Sequence, residues 1–289
     1  MIPAPFDYHA PTSLDEAIAL LSRHGDEAKI LSGGQSLIPL MKLRLAAPAH
    51  VVDINRIPGL DALGERDGHL VVGALVREAD LESSDLIRGR YPLLHDASRH
   101  IADPLVRNLA TVCGNVAHGD PANDHPAAML ALGAVAVAHG PRGRREILST
   151  QFFTGVLATA LRPDEVLVEL KVPTPPPGSG GAYLKLERKV GDFATAGVAV
   201  QVTLGADGAC ARAGIGLTNV GPVPIKAAKA EGALLGQRPT EAVVKHAARL
   251  AAEAAEPSAD ARGSVEYKRD LVRVLTARAL ARALAAAAR

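Results

Sequence analysis

Two stretches of this 289-residue chain gather residue types that bind a ligand through the backbone. The first, SGGQS at 32–36, follows the β-prone run Lys29, Ile30 and Leu31 and leads into Leu37. Adjacent glycines lack a Cβ and accept positive φ, so main-chain N–H groups can turn inward and lie close against a ligand. Ser32 and Ser36 add hydroxyls, and no Lys or Arg stands between them. Such donors suit a phosphate held by peptide dipoles; the rival reading is a plain tight turn. The second stretch, TVCGNVAHGDPANDHP at 111–126, sets Thr111, Gly114 and Asn115 together, then His118, Asn123 and Asp124. A diphosphate takes donors from more than one side, and a sugar hydroxyl or base edge takes an acceptor such as the carboxylate of Asp124. Two such loops are harder to read as turns than one.

Other chemistries fit less well. His118, His125, Asp120 and Asp124 could be imagined as metal ligands, yet they lack the i, i+4 spacing of a helical site, and their glycine context favours an organic ligand. No metal site is expected. GQSLI lacks the closing glycine of a nucleophile elbow, so Ser36 is a donor and not a nucleophile. Neither GxxxxGK[ST] nor a GxGxxG after a strand occurs, which argues against a P-loop or a Rossmann site. Cys113 and Cys210 stand far apart without a CxxC pair, so this chain alone assembles no zinc site or iron–sulfur cluster. Cys113 reads more readily as a small buried side chain than as a redox thiol.

The elements that must hold these loops are legible from capping and periodicity. Thr12 or Ser13 caps a helix with Asp15 and Glu16 in its first turn and Leu14, Ala17, Ile18 and Leu21 on one face, and Gly25 ends it. A strand at 29–31, the Gly-Gly loop, a short helix at 37–43 and the strand HVVDI complete an α/β unit. HLVVGAL reads as a strand, 76–87 and 92–101 as helices, 111–126 as a polar loop, and an Ala/Leu-rich helix begins near Pro126 before a strand at 134–138. The basic run from Arg142 to Arg145 reads as a solvated hairpin turn. PTPPPGSGG at 173–181 is the best boundary, because neither helix nor strand is favoured there. Beyond it lie three antiparallel-looking strands and then Ala-rich helices to Arg289, on which Arg269, Arg273, Arg278 and Arg282 form a solvated face or a subunit contact. No fixed-period repeat is present.

Composition excludes several classes. The chain is 48% hydrophobic and 22% charged, an ordinary globular balance, and its net charge of +1 gives no electrostatic case for nucleic acid or an anionic membrane. The longest apolar stretch, 127–138, is well short of the roughly 20 residues of a membrane span. MIPAPFDYHAP lacks the charged and apolar regions of a signal peptide, so a soluble cytoplasmic protein is expected.

With both loops in view, the chain resembles the FAD-binding medium subunit of molybdenum hydroxylases, the carbon monoxide dehydrogenase and xanthine dehydrogenase family. The resemblance rests on SGGQSLIPLMKLR, RNLATVCGNVAHGDPANDHP, LRPDEVLVELKVP, YLKLERKVGDFATAGVAV and YKRDLVRVLTARAL, and so runs nearly the whole length. It implies an α+β fold: a two-lobed FAD-binding domain of the vanillyl-alcohol oxidase-like (PCMH) type at 1–175, with a lobe boundary near 58, then a small antiparallel sheet-and-helix domain at 176–289. It implies that Leu31, Ser32, Gly33, Gly34, Gln35, Ser36 and Leu37, with Thr111, Gly114 and Asn115, wrap the FAD pyrophosphate and ribityl chain, with His118 alongside. Ile101 would cover the ring system, Asp124 take a sugar or ribityl hydroxyl, Leu167 pack the adenine side, Lys185 reach the flavin or its phosphate edge, and Phe193 lie beside the ring. Cys113 departs from the family by replacing the first glycine of a usual pair.

The resemblance also implies a role in electron transfer. The chain would be a FAD subunit without catalytic acid or base, fed by a small 2Fe–2S subunit and working with a large molybdenum-cofactor subunit, in a dimer of heterotrimers. A self-contained FAD-dependent oxidoreductase with its own substrate pocket is the alternative, and a nucleotide-binding structural subunit without turnover is a third.

Overall fold

β1 (Asp7–His9) and α1 (Leu14–His24) open a computed structural model that describes residues 1–288. α1 starts where the sequence caps it: Ser13 accepts the Glu16 N–H, and Gly25 closes the helix with φ +54°. β2 (Ala28–Leu31), α2 (Leu37–Lys42) and β3 (His50–Asp53) follow, and the strands form a parallel sheet in the order β1-β3-β2. Ala17, Ile18 and Leu21 of α1 pack with Val52 and Ile54, but this core is completed by Val137, Val166 and Val168 from the next sheet.

That second unit runs through β4 (Leu63–Arg66), β5 (His69–Gly73), α3 (Glu78–Ser83), α4 (Asp85–Arg90), α5 (Pro92–Arg99), α6 (Pro104–Arg107), α7 (Val112–His118) and α8 (Asp124–Leu132). β6 (Val135–Gly140), β7 (Gly143–Leu148), α9 (Ser149–Phe152), β8 (Phe153–Gly155), β9 (Ala158–Thr159) and β10 (Val166–Pro173) complete it. Its antiparallel sheet has the order β4-β5-β10-β6-β7 and is buried on both faces. Both faces are served by one strand because β10 carries a bulge between Leu167 and Glu169. Val166 and Val168 face the first unit, and the extra residue then puts Leu167 and Leu170, three apart, into the core under the helices. The turn between β6 and β7 lies where the basic run predicts a hairpin.

Three local expectations change. The single helix expected at 76–87 is broken at Ser84, whose extended backbone ends α3 and whose hydroxyl accepts the Ile87 N–H to start α4. The helix expected near Pro126 begins two residues earlier, at Asp124. Most important, 111–126 is not all loop: Thr111 accepts the Gly114 N–H and caps α7.

The third unit is β11 (Ser179–Leu186), β12 (Ala196–Leu204), β13 (Cys210–Thr218), β14 (Ile225–Lys226), α10 (Ala228–Leu234), α11 (Glu241–Ala254) and α12 (Val265–Ala287). The strands form an antiparallel sheet in sequence order. α12 and α10 cover one face with α11 packed against both, and α5 and α8 of the second unit lie on the other. A Cβ on Gly214 or Gly216 would overlap the carbonyl of Ala131 or Ala127, so these glycines seat α8 directly on β13. The expected run of helix to Arg289 has its last residue outside the described ones. No helix among the described residues is long and apolar enough to cross a membrane.

Candidate functional site

The first and second units meet at the two glycine loops. A Cβ on Gly33 would overlap the carbonyl oxygen of Leu109 and lie 2.8 Å from Ala110 Cα, so only glycine lets 32–36 press against the backbone leading into α7. Gly34 takes φ +71°, the left-handed turn expected of the pair. Ser32 Oγ is 2.9 Å from Thr111 Oγ1. Asn55, just after β3, donates from Nδ2 to the Ser32 carbonyl at 2.8 Å, and Arg77 donates to Asn55 Oδ1 at 2.6 Å and to the Leu109 carbonyl. Arg77 therefore ties both loops together through their carbonyl side.

The N–H side is left open. Among the described residues, the N–H groups of 32–37 donate to no protein acceptor, although all six residues are half-buried. Asn115, on the first turns of α7, has a buried Oδ1 without a partner, while its carbonyl accepts from Asn123 Nδ2 at 2.9 Å. A run of free donors, a glycine cradle that a side chain would fill, and an orphaned amide acceptor fit a diphosphate with neighbouring hydroxyls. His118 lies one turn beyond Asn115 on the same side of α7, half-buried, and burial lowers its imidazole from the usual value.

A second cluster lies where the third unit joins. Ile101 is buried, and Arg107 donates to its carbonyl at 3.0 Å while holding Glu82 through two nitrogens. The neighbouring Ala102 carbonyl abuts Gly191, which needs φ +82° there, so the 187–194 segment that carries Phe193 lies against the 101–103 turn. Phe193 is 49% exposed, a large apolar face open to a ligand or partner.

Asp124 and Lys185 turn inward. Asp124 accepts the Tyr183 hydroxyl at 2.6 Å on Oδ1 and Lys185 Nζ at 3.1 Å on Oδ2, and it is 5% exposed. Lys185 Nζ also donates to the His100 carbonyl at 2.8 Å and lies 3.3 Å from Glu187 Oε2 as an ion pair, so it has two hydrogen-bond acceptors and two carboxylate neighbours. Burial pushes the Asp124 carboxyl up, and Lys185 and Tyr183 oppose that shift without cancelling it. Burial and the adjacent Asp124 raise the Tyr183 hydroxyl well above its usual value. Burial and Lys185 lower His100. Asp124 and Lys185, for which the resemblance implies contacts with FAD, contact each other here, and both side chains are buried. Leu167, implied to pack the adenine side, is 5% exposed and packs in the core of the second unit.

The imagined metal ligands are not brought together. His125 Nε2 is 2.7 Å from Glu78 Oε2, both fully buried, and Asp120 caps the Ala122 N–H. Burial lowers His125, but Glu78 more than reverses that and leaves it raised. Cys113 sits in α7 without positive φ, its thiol against the carbonyls of Val72 and Gly73 and pushed far up by burial. A helix needs no glycine there, so the departure at this position costs the loop nothing, and the thiol is inert. Asn55, Arg77, Arg107 and Tyr183 are the residues that the sequence reading missed; Arg107 and Tyr183 each open one of the quoted motifs, but the partners named for all four lie more than five positions away, most of them tens.

Comparison with known proteins follows the same division. Residues 4–175 match the family model described as the FAD binding domain in molybdopterin dehydrogenase, and 181–283 that of the CO dehydrogenase flavoprotein C-terminal domain. The carbon monoxide dehydrogenase medium chain of Hydrogenophaga pseudoflava is 46% identical over 280 residues, 97% of each chain. That of Afipia carboxidovorans is 42% identical over 287 residues, 99% of each. A solved carbon monoxide dehydrogenase from Hydrogenophaga pseudoflava, lacking the Mo-pyranopterin moiety, superposes with TM-score 0.96 at 48% identity over 99% of both chains.

Proposed function

The chain belongs to the FAD-binding medium subunits of the molybdenum hydroxylases, and from that premise we propose that it relays electrons, taking them from the clusters of a small 2Fe–2S subunit and passing them to an external acceptor. FAD, when bound, supplies the redox chemistry. The chain's own residues hold and enclose it. The N–H groups of 32–37 take the diphosphate, Asn115 Oδ1 accepts a sugar or ribityl hydroxyl, and Ile101 and Phe193 wall the ring system. Asp124, Lys185 and Tyr183 fasten the third unit so that this wall keeps its place.

One observation carries the reading: six successive free N–H groups belong to a loop whose Ser32 touches the cap of α7, and α7 carries the orphaned buried amide oxygen of Asn115. The buried carboxylates of Glu78 and Asp124 are each paired, with His125 and Lys185. A chain so built positions a redox cofactor and leaves substrate activation to a large molybdenum-cofactor subunit. The working assembly is a cytoplasmic dimer of heterotrimers, with docking surfaces of at least about 1,000 Å².

Anaerobic mixing tests this. The purified chain with FAD stays oxidised when the large subunit's substrate is added, and its flavin absorbance bleaches once the large and small subunits are also present. Rapid bleaching of the lone chain by an organic substrate overturns the relay and establishes a self-contained oxidoreductase.

A further inference from the structure

At the end of the first sheet away from the glycine loop, three histidines from three separate elements converge. His9 comes from β1, His50 from the start of β3 and His24 from the last turn of α1. Their ring nitrogens lie within 4.8 Å of one another, and all three side chains are half-buried. His9 Nε2 is 3.2 Å from His50 Nδ1, and the His24 and His50 rings have centroids 3.6 Å apart.

The strand register explains the convergence. β1 and β3 are parallel with Asp7 opposite His50, so Asp7, His9 and His50 share one face, two residues apart along each strand. Val52, next on that face of β3, packs in the core with α1, and the end of α1 carries His24 onto the same side. The Asp7 carboxylate is 3.5 Å from His50 Nδ1 and largely exposed, free to swing toward the imidazoles.

This is the donor set of a borderline divalent cation. In a tetrahedral site with Zn–N bonds of about 2.0–2.1 Å, neighbouring ligand nitrogens are roughly 3.3 Å apart. The His9–His50 separation already matches, and the other ligand nitrogens lie within 4.8 Å. Imidazole suits zinc better than magnesium or calcium, which prefer oxygen. The helix C-terminus that carries His24 also favours positive charge.

We propose that His9, His24 and His50 bind one Zn2+ ion with Asp7 as the fourth ligand. The site is structural: it staples the short strand β1 to β3 and to α1, with Asp7 and His50 level with Ala28 at the end of β2 away from the flavin loops. It does not depend on the flavin reading, since none of its ligands touches the cleft.

The test uses the untagged full chain, stripped with EDTA and titrated with ZnCl2 by calorimetry, then with Co2+ to read its visible ligand-field bands. The expected result is one Zn2+ per chain, a rise in melting temperature on binding, and the intense spectrum of tetrahedral Co2+. His9→Asn or His24→Asn should weaken binding by more than the roughly 10–100-fold typical of an outer-shell partner, with unchanged far-ultraviolet circular dichroism showing that the fold survives. Zn2+ binding by the wild type no stronger than by a His9→Asn/His24→Asn/His50→Asn variant overturns the site. Undiminished binding in Asp7→Asn overturns the fourth ligand.

Discussion

The glycine-loop junction and the Asp124–Lys185–Tyr183 cluster both join units of this molecule, and they spend their polar groups in opposite ways. At the junction, carbonyls are tied by Arg77 and Asn55 while the N–H groups of 32–37 stay free. In the cluster, Lys185 donates to the His100 carbonyl and to Asp124, and both Asp124 oxygens are taken. Free backbone donors survive only because the loop is half-exposed; the same groups at the depth of Asp124 would each forfeit a hydrogen bond's worth of desolvation. A ligand site and a structural clamp can thus look alike in a motif and differ in where their bonds end.

Variants can break that contrast. Lys185→Met should have the largest effect and act on folding: stripping one partner from a buried pair costs about 3–5 kcal/mol. Urea unfolding reads it, and the double variant with Asp124→Asn should cost less than the sum. A Lys185→Met protein of normal stability but lost flavin would move Lys185 into the cofactor site. Gly33→Ala should act on flavin retention instead, because its Cβ drives 32–36 off the Leu109 carbonyl; the strain is of the order of 1–3 kcal/mol, up to about a hundredfold in FAD affinity. Gly34→Ala should cost less in contact, since its Cβ meets the flexible Ile38 side chain, and should add only left-handed strain. Asn115→Ala should weaken FAD by about 1 kcal/mol, one ordinary hydrogen bond, with little change in unfolding; equilibrium dialysis checks it.

The smallest effect is a slope. His125 is raised by Glu78, so its contribution to stability is complete below its unfolded value of about 6.5 and is lost as pH rises through the higher folded value. Glu78→Gln should reverse the sign of the pH dependence of melting temperature, because burial then lowers His125, while leaving FAD affinity unchanged.

What could be read from the sequence was what is local. The α1 cap, the glycine pair and the basic hairpin announce themselves within a few residues. α7 was hidden because Gly114 and Asn115 read as loop formers, although Thr111 already supplied its cap. Ser84 splits a helix whose apolar spacing looked continuous, since extended backbone at one residue leaves the periodicity almost intact. Arg77 and the three histidines were invisible for a different reason: nothing at positions 9, 24 and 50 signals that parallel pairing will bring them together. The inward turn of Asp124 and Lys185 belongs to the same class, because their partners lie across a unit boundary.

The seating of α8 on Gly214 and Gly216 bears on how the chain is made. α8 leaves the ribosome some eighty residues before β13 does, and at roughly 5–20 residues per second that interval is several seconds. During it the carbonyl face of Ala127 and Ala131 has no sheet to rest on and Asp124 has no lysine. The amino-terminal two-thirds of the chain therefore waits, partly assembled, for its carboxy-terminal part, and the proposed cofactor pocket matures late in synthesis although both glycine loops are translated early.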